Sequence, residues 1–338
     1  MIGDKVLIRR DNGEMAEAKS PAIVSASRST DIPAFYSDWF LHRLKVGYSA
    51  WTNPFNGTKS YVSYQNTRLI VFWSKNPKHL LDKDGLLDYL QTKEINSYVQ
   101  YTLNDYENEQ LERGVPPLAD RIDTFKSLVD RLGFGKVIWR FDPLILTDTV
   151  NINSLLDKIK RIGDYLKGYT EKLVFSFADI DTYRKVKANL EKNNIIYRNF
   201  SEHEMLQFAA GLQQLNREWN FTLASCGEKI DLDQFGIVHN KCVDDNLIIK
   251  HFSADRKLMD FLGVDIKEPN LFGEEKKKNI KDKGQRPFCG CIVSKDIGEY
   301  NTCAHLCDYC YANTSKESAM SNFRRHLDNP HSETITGK

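Results

Sequence analysis

The chain has 338 residues, of which 41% are hydrophobic and 28% are charged, and its formal net charge at pH 7 is +1. This length can bury one large core or two smaller ones, and the composition is that of an ordinary globular protein rather than a disordered or fibrous one. The small net charge gives no overall electrostatic reason to expect a nucleic-acid or membrane partner, although a local basic patch is compatible with it.

No apolar run reaches the ~18 residues that a membrane span requires. The N-terminal stretch interrupts its few apolar residues with charges, unlike a secretory signal. We therefore expect a cytoplasmic protein with no membrane partner, in which thiols stay reduced. The chain has seven cysteines and none of them precedes Cys226. This odd number argues against a complete set of disulfides and favours metal ligation.

Short β-rich runs recur along the chain, and most of them end in polar residues. In chain order they are 22–27, 48–51, 69–74, 97–103, 135–141, 172–177 and 221–225, with a last candidate strand at about 292–301. Three amphipathic patterns between these runs predict helices. They cover residues 118–133, 151–168 and 201–219. The third begins with Ser201 and Glu204, which have the spacing of a capping box.

Strands that alternate with helices of this length predict βαβ units and a parallel sheet, hence an α/β protein. Seven or eight such units are what a complete or nearly complete (β/α) barrel needs, and this is the fold that we predict. A doubly wound open sheet has the same alternation and is the alternative. We expect residues 1–264 to form the barrel body. Residues 265–338 would add a linker, the last strand and a C-terminal cysteine region to the same domain.

Two polar segments follow the predicted barrel body. The segment 265–287 carries a run of lysines and is typical of an exposed loop. The tail after Arg325 is polar enough to be partly disordered.

In either fold, the carboxyl ends of the parallel strands are where chemistry is expected. The polar side chains at these ends are Arg28, Asp31, Asn53, Lys75, Asn104, Arg140, Asp142 and Asp179. An arginine there can hold a carboxylate or phosphate of a cofactor or substrate by a bidentate fork, or can form an internal ion pair. The candidates for catalysis are Arg28, Asp31, Arg140 and Asp142, and the candidates for cofactor contact are Asn53, Lys75 and Asp179.

Three cysteines, Cys303, Cys307 and Cys310, occur within eight positions at the spacing C-x3-C-x2-C. Thiolates are the ligands that hold iron–sulfur clusters, and closing so short a loop costs little entropy. Three thiolates can therefore hold a 4Fe–4S cluster and leave one iron open. The alternative is a zinc site, which would need a fourth ligand such as His305 or a distant cysteine.

The remaining cysteines are Cys226, Cys242, Cys289 and Cys291. Four thiols are what a second 4Fe–4S cluster or an all-thiolate zinc site requires. His239 could replace one of them as a ligand. The alternative is that one or two are ordinary buried thiols, since free cysteine often behaves as a small core residue.

The cysteine spacing, with Tyr309 just before the last cysteine, resembles the signature of the radical S-adenosylmethionine superfamily. The blocks "SASRSTDIPAFY", "NPFN", "VFWSKNP", "VIWRFDPLIL" and "DIGEYNTCAHLCDYCYAN" lie within residues 22–313. Together they resemble the uncharacterised bacterial domain-of-unknown-function family numbered 1848. The pieces "WRFDP" and "CxYCY" are also similar to spore photoproduct lyase and its relatives.

The superfamily resemblance implies a 4Fe–4S cluster on Cys303, Cys307 and Cys310 whose open iron binds S-adenosylmethionine. One electron, from an external donor such as a flavodoxin or ferredoxin, would cleave this cofactor to a 5′-deoxyadenosyl radical. In the superfamily the cluster loop normally follows the first strand. In a closed barrel the last strand neighbours the first, so a late loop could lie above the same cavity.

The leading functional hypothesis is a radical S-adenosylmethionine-type enzyme of unknown substrate. The lyase resemblance points to nucleic acid or a modified base, and the neutral charge points away from it. The alternative is a binding or regulatory protein stabilised by zinc or by a redox-sensing cluster, without radical chemistry. A third hypothesis is a barrel hydrolase that uses Asp142 and Asp179 together with a structural metal.

Overall fold

The structure is a computed structural model that describes residues 3–53, 56–264 and 278–337. Within these ranges the strands form a sheet of eight, a sheet of four and a two-stranded pair. The strands are β1 (Asp4–Arg9), β2 (Met15–Ser20), β3 (Ile23–Ala26), β4 (Tyr48–Thr52), β5 (Lys59–Ser63), β6 (Leu69–Ser74), β7 (Asn96–Thr102), β8 (Val137–Leu144), β9 (Leu146–Thr147), β10 (Lys172–Phe177), β11 (Tyr197–Arg198), β12 (Thr222–Ser225), β13 (Ile237–His239) and β14 (Lys295–Asp296). The helices are α1 (Ile32–Phe35), α2 (Ser37–Val46), α3 (Leu86–Thr92), α4 (Leu118–Leu132), α5 (Ile152–Leu166), α6 (Arg184–Lys192), α7 (Glu202–Asn216), α8 (Asp245–Phe252), α9 (Arg256–Leu262) and α10 (Lys316–Asp328).

The large sheet has the order β13-β12-β10-β8-β7-β6-β3-β14, and every neighbouring pair is parallel. From β3 to β13 the strands of this sheet are added in chain order. The last strand, β14, returns to the other side of β3, where Lys295 pairs with Val24 and Asp296 with Ser25. The predicted α/β alternation and parallel sheet are therefore confirmed.

The predicted complete or nearly complete barrel is wrong. In the ranges described above, β13 and β14 do not pair, so the sheet is open and these two strands are its edges. The predicted last strand at 292–301 is reduced to two residues, because the Asp296 carboxylate accepts the Gly298 N–H at 2.9 Å and turns the chain. The edges approach each other beside the strands, where Ile292 N–H donates to the Val243 carbonyl at 3.1 Å.

The small sheet has the order β1-β2-β5-β4 and contains the predicted strand 48–51 as β4. That run does not belong to the parallel sheet, because β4 pairs antiparallel with β5. Strands β1 and β2 form an antiparallel hairpin. This sheet is a second structural layer that the βαβ prediction did not include.

The tail after Arg325, predicted to be partly disordered, packs against the rest of the protein. Glu333 accepts the Ala50 N–H through its carbonyl at 2.7 Å, and Trp39 Nε1 donates to the Ser332 carbonyl at 2.9 Å. Ile335 is buried. Of the segment 265–287, predicted to be an exposed loop, residues 265–277 lie outside the described ranges.

The three predicted helices are confirmed as α4, α5 and α7. Asn151 and Ser154 form a capping box at the start of α5, and Ser201 and Glu204 form one at the start of α7. Each box satisfies backbone N–H groups that the first helical turn leaves unpaired. No helix among the described residues is both long and apolar enough to serve as a membrane span.

Both faces of the large sheet are apolar, as expected for buried parallel strands. Alternate residues point to opposite sides: Ile70 and Phe72 of β6 belong to one buried cluster, and Leu69 and Val71 belong to a second. The second cluster also contains side chains of α8 and α9 and four cysteines: Cys226, Cys242, Cys289 and Cys291.

Gly163 on α5 packs directly against the indole ring of Trp219. A Cβ atom at position 163 would lie 2.5 Å from Trp219 Cζ2. Trp219 Nε1 also donates to Asp164 Oδ1 at 2.9 Å, which holds the ring in place. We expect Gly163→Ala to lower the free energy of unfolding by about 1–3 kcal/mol through overpacking, measured by urea denaturation.

Gly211→Ala on α7 is the matched control. Its Cβ would lie 2.4 Å from Leu156 Cδ1, which is the end of a flexible side chain that can rotate away. The better helix propensity of alanine should then offset most of the cost. Equal destabilisation by the two substitutions would contradict this explanation.

Candidate functional site

The loop that carries three cysteines lies at the carboxyl ends of the parallel strands; residues 303–310 are called the cysteine loop below. His305 Nε2 lies 2.8 Å from a carboxylate oxygen of Asp31, which follows β3. Tyr309 OH lies 2.9 Å from Nζ of Lys75, which follows β6. The loop is therefore fixed by side chains at the ends of two neighbouring strands.

The segment after β7 also holds the cysteine loop, through its backbone. Gly114 N–H donates to the His305 carbonyl at 3.1 Å, and Asp308 N–H donates to the Leu111 carbonyl at 2.9 Å. A Cβ atom at position 114 would lie 2.5 Å from that His305 oxygen. Only glycine allows the two backbones to approach this closely.

Both ring nitrogens of His305 are engaged. Nδ1 lies 3.0 Å from the Gly114 carbonyl and Nε2 lies 2.8 Å from Asp31 Oδ2. Both partners are oxygen atoms that accept hydrogen bonds, so the ring is held between the Gly114 carbonyl and the Asp31 carboxylate.

Asp31 is saturated with hydrogen bonds. Its Oδ1 accepts from Ala34 N–H at 3.0 Å and from Ser74 Oγ at 2.7 Å, and its Oδ2 accepts from Lys75 N–H at 2.7 Å as well as from His305. Burial raises the pKa of this carboxyl, but the His305, Ser74 and Lys75 hydrogen bonds outweigh burial and hold the pKa below its usual value. Asp31, predicted to be catalytic, thus joins β3, β6 and the cysteine loop.

Glu112 is the centre of a buried polar network. Lys75 Nζ donates to Glu112 Oε1 at 2.7 Å, Asn104 Nδ2 donates to the same oxygen at 3.1 Å, and Tyr309 OH donates to it as well. Arg121 Nη1 lies 3.9 Å from Glu112 Oε2. Burial raises the pKa of Glu112, but the positive charges of Lys75 and Arg121 prevail and lower it to about 2.

Arg140 and Asp142 form an internal ion pair through Arg140 Nη2 and Asp142 Oδ2. Ser176 Oγ donates to the other oxygen of Asp142. Burial raises the pKa of Asp142, but the charge of Arg140 and the Ser176 hydrogen bond hold it below its usual value. Arg140 Nη1 donates to Gln100 Oε1 at 3.2 Å and to Cys242 Sγ at 3.1 Å, so the guanidinium also touches the second group of cysteines.

Glu228, which follows β12, differs from these carboxyl groups because its pKa is raised rather than lowered. Its Oε1 accepts the Phe177 N–H at 3.0 Å. Burial raises its pKa to about 7, against the lowering effects of that hydrogen bond and of the Arg286 charge. A carboxyl whose pKa is near neutral can both accept and donate a proton at physiological pH.

The structure brings together only some of the polar residues predicted for the site. Asp31, Lys75, Asn104 and Asp142 are connected through hydrogen bonds, and Arg140 joins them through Asp142. Glu112 and Glu228 were not predicted. Glu112 lies ten residues beyond the end of β7, and the rule of selecting strand-end residues does not reach that far.

Three predicted site residues lie elsewhere. Arg28 has its guanidinium 4.9 Å from the Trp73 ring centroid, and its backbone N–H donates to Asp296 Oδ2 at 2.8 Å. Asn53 lies beside β4 in the small sheet, where its N–H donates to the Thr58 carbonyl at 3.0 Å; residues 54 and 55 of the block "NPFN" lie outside the described ranges. Asp179 is exposed.

The thiols of Cys303, Cys307 and Cys310 are free, and that of Cys307 is buried. Burial raises the pKa of all three, and the negative charge of the other two raises that of Cys307 further, against the lowering effect of Lys75. The backbone groups of Asn313 and Ala312 oppose this rise at Cys310, but the pKa of its thiol stays above the usual value.

The other cysteines meet on the opposite side of Arg140. Cys226 Sγ lies 3.5 Å from Cys242 Sγ, and the Cys242 N–H donates to Cys291 Sγ at 3.2 Å. His239, considered as an alternative ligand, is exposed on β13. The seven cysteines therefore form two groups.

Neither group has its sulfurs already arranged around one point. Within residues 3–53, 56–264 and 278–337, no three His, Cys, Asp or Glu side chains are grouped as the ligands of a metal ion. The fit of a metal to these sites therefore depends on the chemistry of the donors and on which groups surround them.

Fold and site together define an α/β protein in which a C-terminal cysteine loop lies on the carboxyl ends of a parallel sheet. The sequence model of the domain of unknown function DUF1848 matches residues 23–312. The chain belongs to this family, as its sequence blocks indicated. No curated protein and no solved structure matches the chain. The matched range contains all seven cysteines and therefore both thiol groups.

Glu112→Gln should destabilise the protein strongly. The substitution removes the carboxylate that balances Lys75 and Arg121 in a buried environment. We expect the free energy of unfolding at neutral pH to fall by roughly 3–5 kcal/mol, as for other broken buried ion pairs, measured by urea denaturation. Glu317→Gln is the control, since its ion pair with Lys192 is exposed and should change stability little.

The pH dependence gives a second readout of the same interaction. The pKa of Glu112 is about 2 in the folded protein and 4.5 ordinarily. The carboxylate therefore contributes its stabilisation in full above pH 4.5, and this contribution is lost as the pH falls towards 2. The difference in stability between the wild-type protein and Glu112→Gln should shrink over that window, and a constant difference would contradict the assignment.

Proposed function

We propose that the protein is an iron–sulfur enzyme of the radical S-adenosylmethionine type, in which Cys303, Cys307 and Cys310 hold a 4Fe–4S cluster. The observation that supports this proposal is the ligand count of the cysteine loop. Three thiols are present there, and the ring of His305, in the same loop, is held between Asp31 and Gly114.

A zinc site in the loop would need a fourth ligand. His305 would have to give up its contact with Asp31 or with Gly114 to supply it. The other four cysteines lie in the second group, where Cys226 Sγ contacts Cys242 Sγ and the Cys242 N–H donates to Cys291 Sγ. Three thiolates and one open position are what a site-differentiated cluster requires.

The surroundings of the loop suit an anionic cluster. The backbone N–H groups of His305 and Asp31 oppose the rise in the pKa of Cys303, and those of Ala312 and Asn313 oppose the rise in the pKa of Cys310, so each group favours the thiolate. Hydrogen bonds to the sulfurs and nearby positive charge stabilise such clusters and set their reduction potentials.

Lys75 brings the positive charge. Its ammonium group is held by Glu112 and Tyr309 and lies close enough to lower the pKa of Cys307. Because Tyr309 belongs to the cysteine loop, the same ammonium group also ties the loop to the end of β6.

Bound cofactors would supply one-electron cleavage of a sulfonium, and the chain would supply ligands, fixed charge and protection from water. Lys75 is the predicted cofactor-binding residue that lies beside the cysteine loop. Glu228 would hold or move a proton at its carboxyl oxygens. An external reductant such as a flavodoxin or ferredoxin, and a cytoplasmic setting in which thiols stay reduced, belong to the proposal.

Cys307→Ala should remove the cluster. After anaerobic purification and reconstitution with iron and sulfide, we expect the wild-type protein to be brown and to carry at least about four irons per chain. Adding S-adenosylmethionine should change the electron paramagnetic resonance spectrum of the reduced cluster, and 5′-deoxyadenosine should be released. Cys307→Ala should lose this iron and the spectral change, while Ser127→Ala, at an exposed position on α4, should keep both.

The opposite results separate the alternatives. Equal iron in the wild-type and Cys307→Ala proteins would show that the ligand assignment is wrong. A brown protein whose spectrum does not respond to S-adenosylmethionine would favour a redox-sensing protein over an enzyme. Circular dichroism of each variant distinguishes loss of the cluster from loss of the fold.

Gly114→Ala tests the position of the loop without touching a ligand. Its Cβ would clash with the His305 carbonyl and push the cysteine loop away from the segment after β7. We expect a several-fold lower iron content after reconstitution. Gly284→Ala is the control, because its nearest contact is a side-chain oxygen of Asp282 at 3.3 Å. Unchanged iron in Gly114→Ala would show that the loop can bind iron without this contact.

A further inference from the structure

A second group of thiols lies where the two edges of the open sheet approach each other. Cys226 follows β12 and Cys242 follows β13, while Cys289 and Cys291 precede β14. These four residues are called the four-thiol group below. Their positions place two thiols on each side of the gap between the sheet edges.

Direct contacts connect three of these cysteines. The distance between Cys226 Sγ and Cys242 Sγ is 3.5 Å. The Cys242 N–H donates to Cys291 Sγ at 3.2 Å, and Cys289 precedes Cys291 by two residues. The exposed fractions are 9%, 6%, 8% and 1% for Cys226, Cys242, Cys289 and Cys291, so all four are shielded from solvent.

Strong hydrogen-bond donors point at these sulfurs. Arg140 Nη1 lies 3.1 Å from Cys242 Sγ, and Asn240 Nδ2 lies 3.3 Å from it. Cys291 Sγ accepts the N–H groups of Cys242 at 3.2 Å and of Val243 at 3.4 Å. Neutral thiols are weak acceptors, and four of them packed as small apolar residues would not need these donors. Thiolates would.

The sulfur spacing favours a single ion over a cluster. Neighbouring sulfurs around a tetrahedral zinc ion lie about 3.8 Å apart, since each is about 2.3 Å from the metal. The observed distance between the Cys226 and Cys242 sulfurs is 3.5 Å, close to that value. The thiolates of a 4Fe–4S cluster bind four different irons and are spread farther apart.

We propose that Cys226, Cys242, Cys289 and Cys291 bind one zinc ion, which joins the β12–β13 edge of the sheet to the segment that leads into β14. Binding draws the four sulfurs around one point and releases the four thiol protons to solvent. Four zinc–thiolate bonds leave a net charge of −2, which the donors around Cys242, including the Arg140 guanidinium, help to balance. With every coordination position filled by protein, the site is structural rather than catalytic.

The zinc proposal shares no ligand with the cluster proposed for the cysteine loop, so the two can fail separately. The full chain is produced with zinc supplied, and zinc and iron are measured on the same samples. We expect about one zinc per chain in the wild-type protein and in Cys303→Ser. Cys226→Ser and Cys242→Ser should bind zinc more than about tenfold more weakly.

X-ray absorption at the zinc edge of the wild-type protein gives a result that does not depend on the folding of variants. Four sulfur neighbours at about 2.3 Å would support the proposal. A shell containing nitrogen or oxygen, a wild-type protein without zinc, or zinc lost equally in Cys303→Ser would overturn it. Iron–sulfur absorption that persists when Cys303, Cys307 and Cys310 are all replaced by serine would also overturn it, because the four-thiol group would then hold a cluster.

Discussion

The contact between the Asp31 carboxylate and the His305 ring is the interaction on which the site depends. It joins residues that are far apart in the sequence, and it places the cysteine loop over the ends of β3 and β6. The other ring nitrogen of His305 lies 3.0 Å from the Gly114 carbonyl, so both sides of the ring are held. One hydrogen-bonded pair therefore helps to fix where the three thiols lie. Asp31 can do this because its two oxygens also accept from Ala34, Ser74 and Lys75, which leaves the carboxylate no other orientation.

The return of the chain to β3 explains why late cysteines can serve this edge of the sheet. Strand β14 has only two residues, yet its parallel pairing with β3 fixes the stretch 289–310, which carries thiols on both sides of the strand. The thiols before β14 meet those that follow β12 and β13, and the thiols after it meet the Glu112 network. So short a ladder gives little stability by itself. Metal binding by the thiols that precede β14 would add to the hydrogen bonds that hold this strand.

Local structure could be predicted well from the sequence, but whether the parallel sheet closes into a barrel could not. Helices α5 and α7 could be predicted because their capping boxes and apolar periodicity are local. Whether β13 and β14 pair depends on distant segments, and βαβ alternation is the same in open and closed sheets, so the barrel was wrong. Selecting polar residues at strand ends found Asp31, Lys75, Arg140 and Asp142, because parallel strands bring such residues to one edge. It also selected Asn53, which lies in the small sheet, and it missed Glu112, which only the folding of a long loop brings to the site.

The charges of the site divide its carboxyl groups by role. Glu112 is balanced by Lys75 and Arg121, Asp142 by Arg140, and Asp31 by the hydrogen bonds that it accepts, so each stays an anion and orients its neighbours. Glu228 differs, because burial outweighs the Arg286 charge and raises its pKa to about 7. A group that is half protonated near neutral pH is suited to proton transfer, whereas a carboxylate held ionised by a fixed cation is suited to positioning. The sequence suggested Asp142 and Asp179 as the two carboxyl groups of a hydrolase. The structure does not support a proton shared between them, because Asp142 is held in its ion pair with Arg140 and Asp179 is exposed. Among these four carboxyl groups, Glu228 is therefore the one whose protonation changes near neutral pH, while the other three remain ionised and hold their neighbours in place.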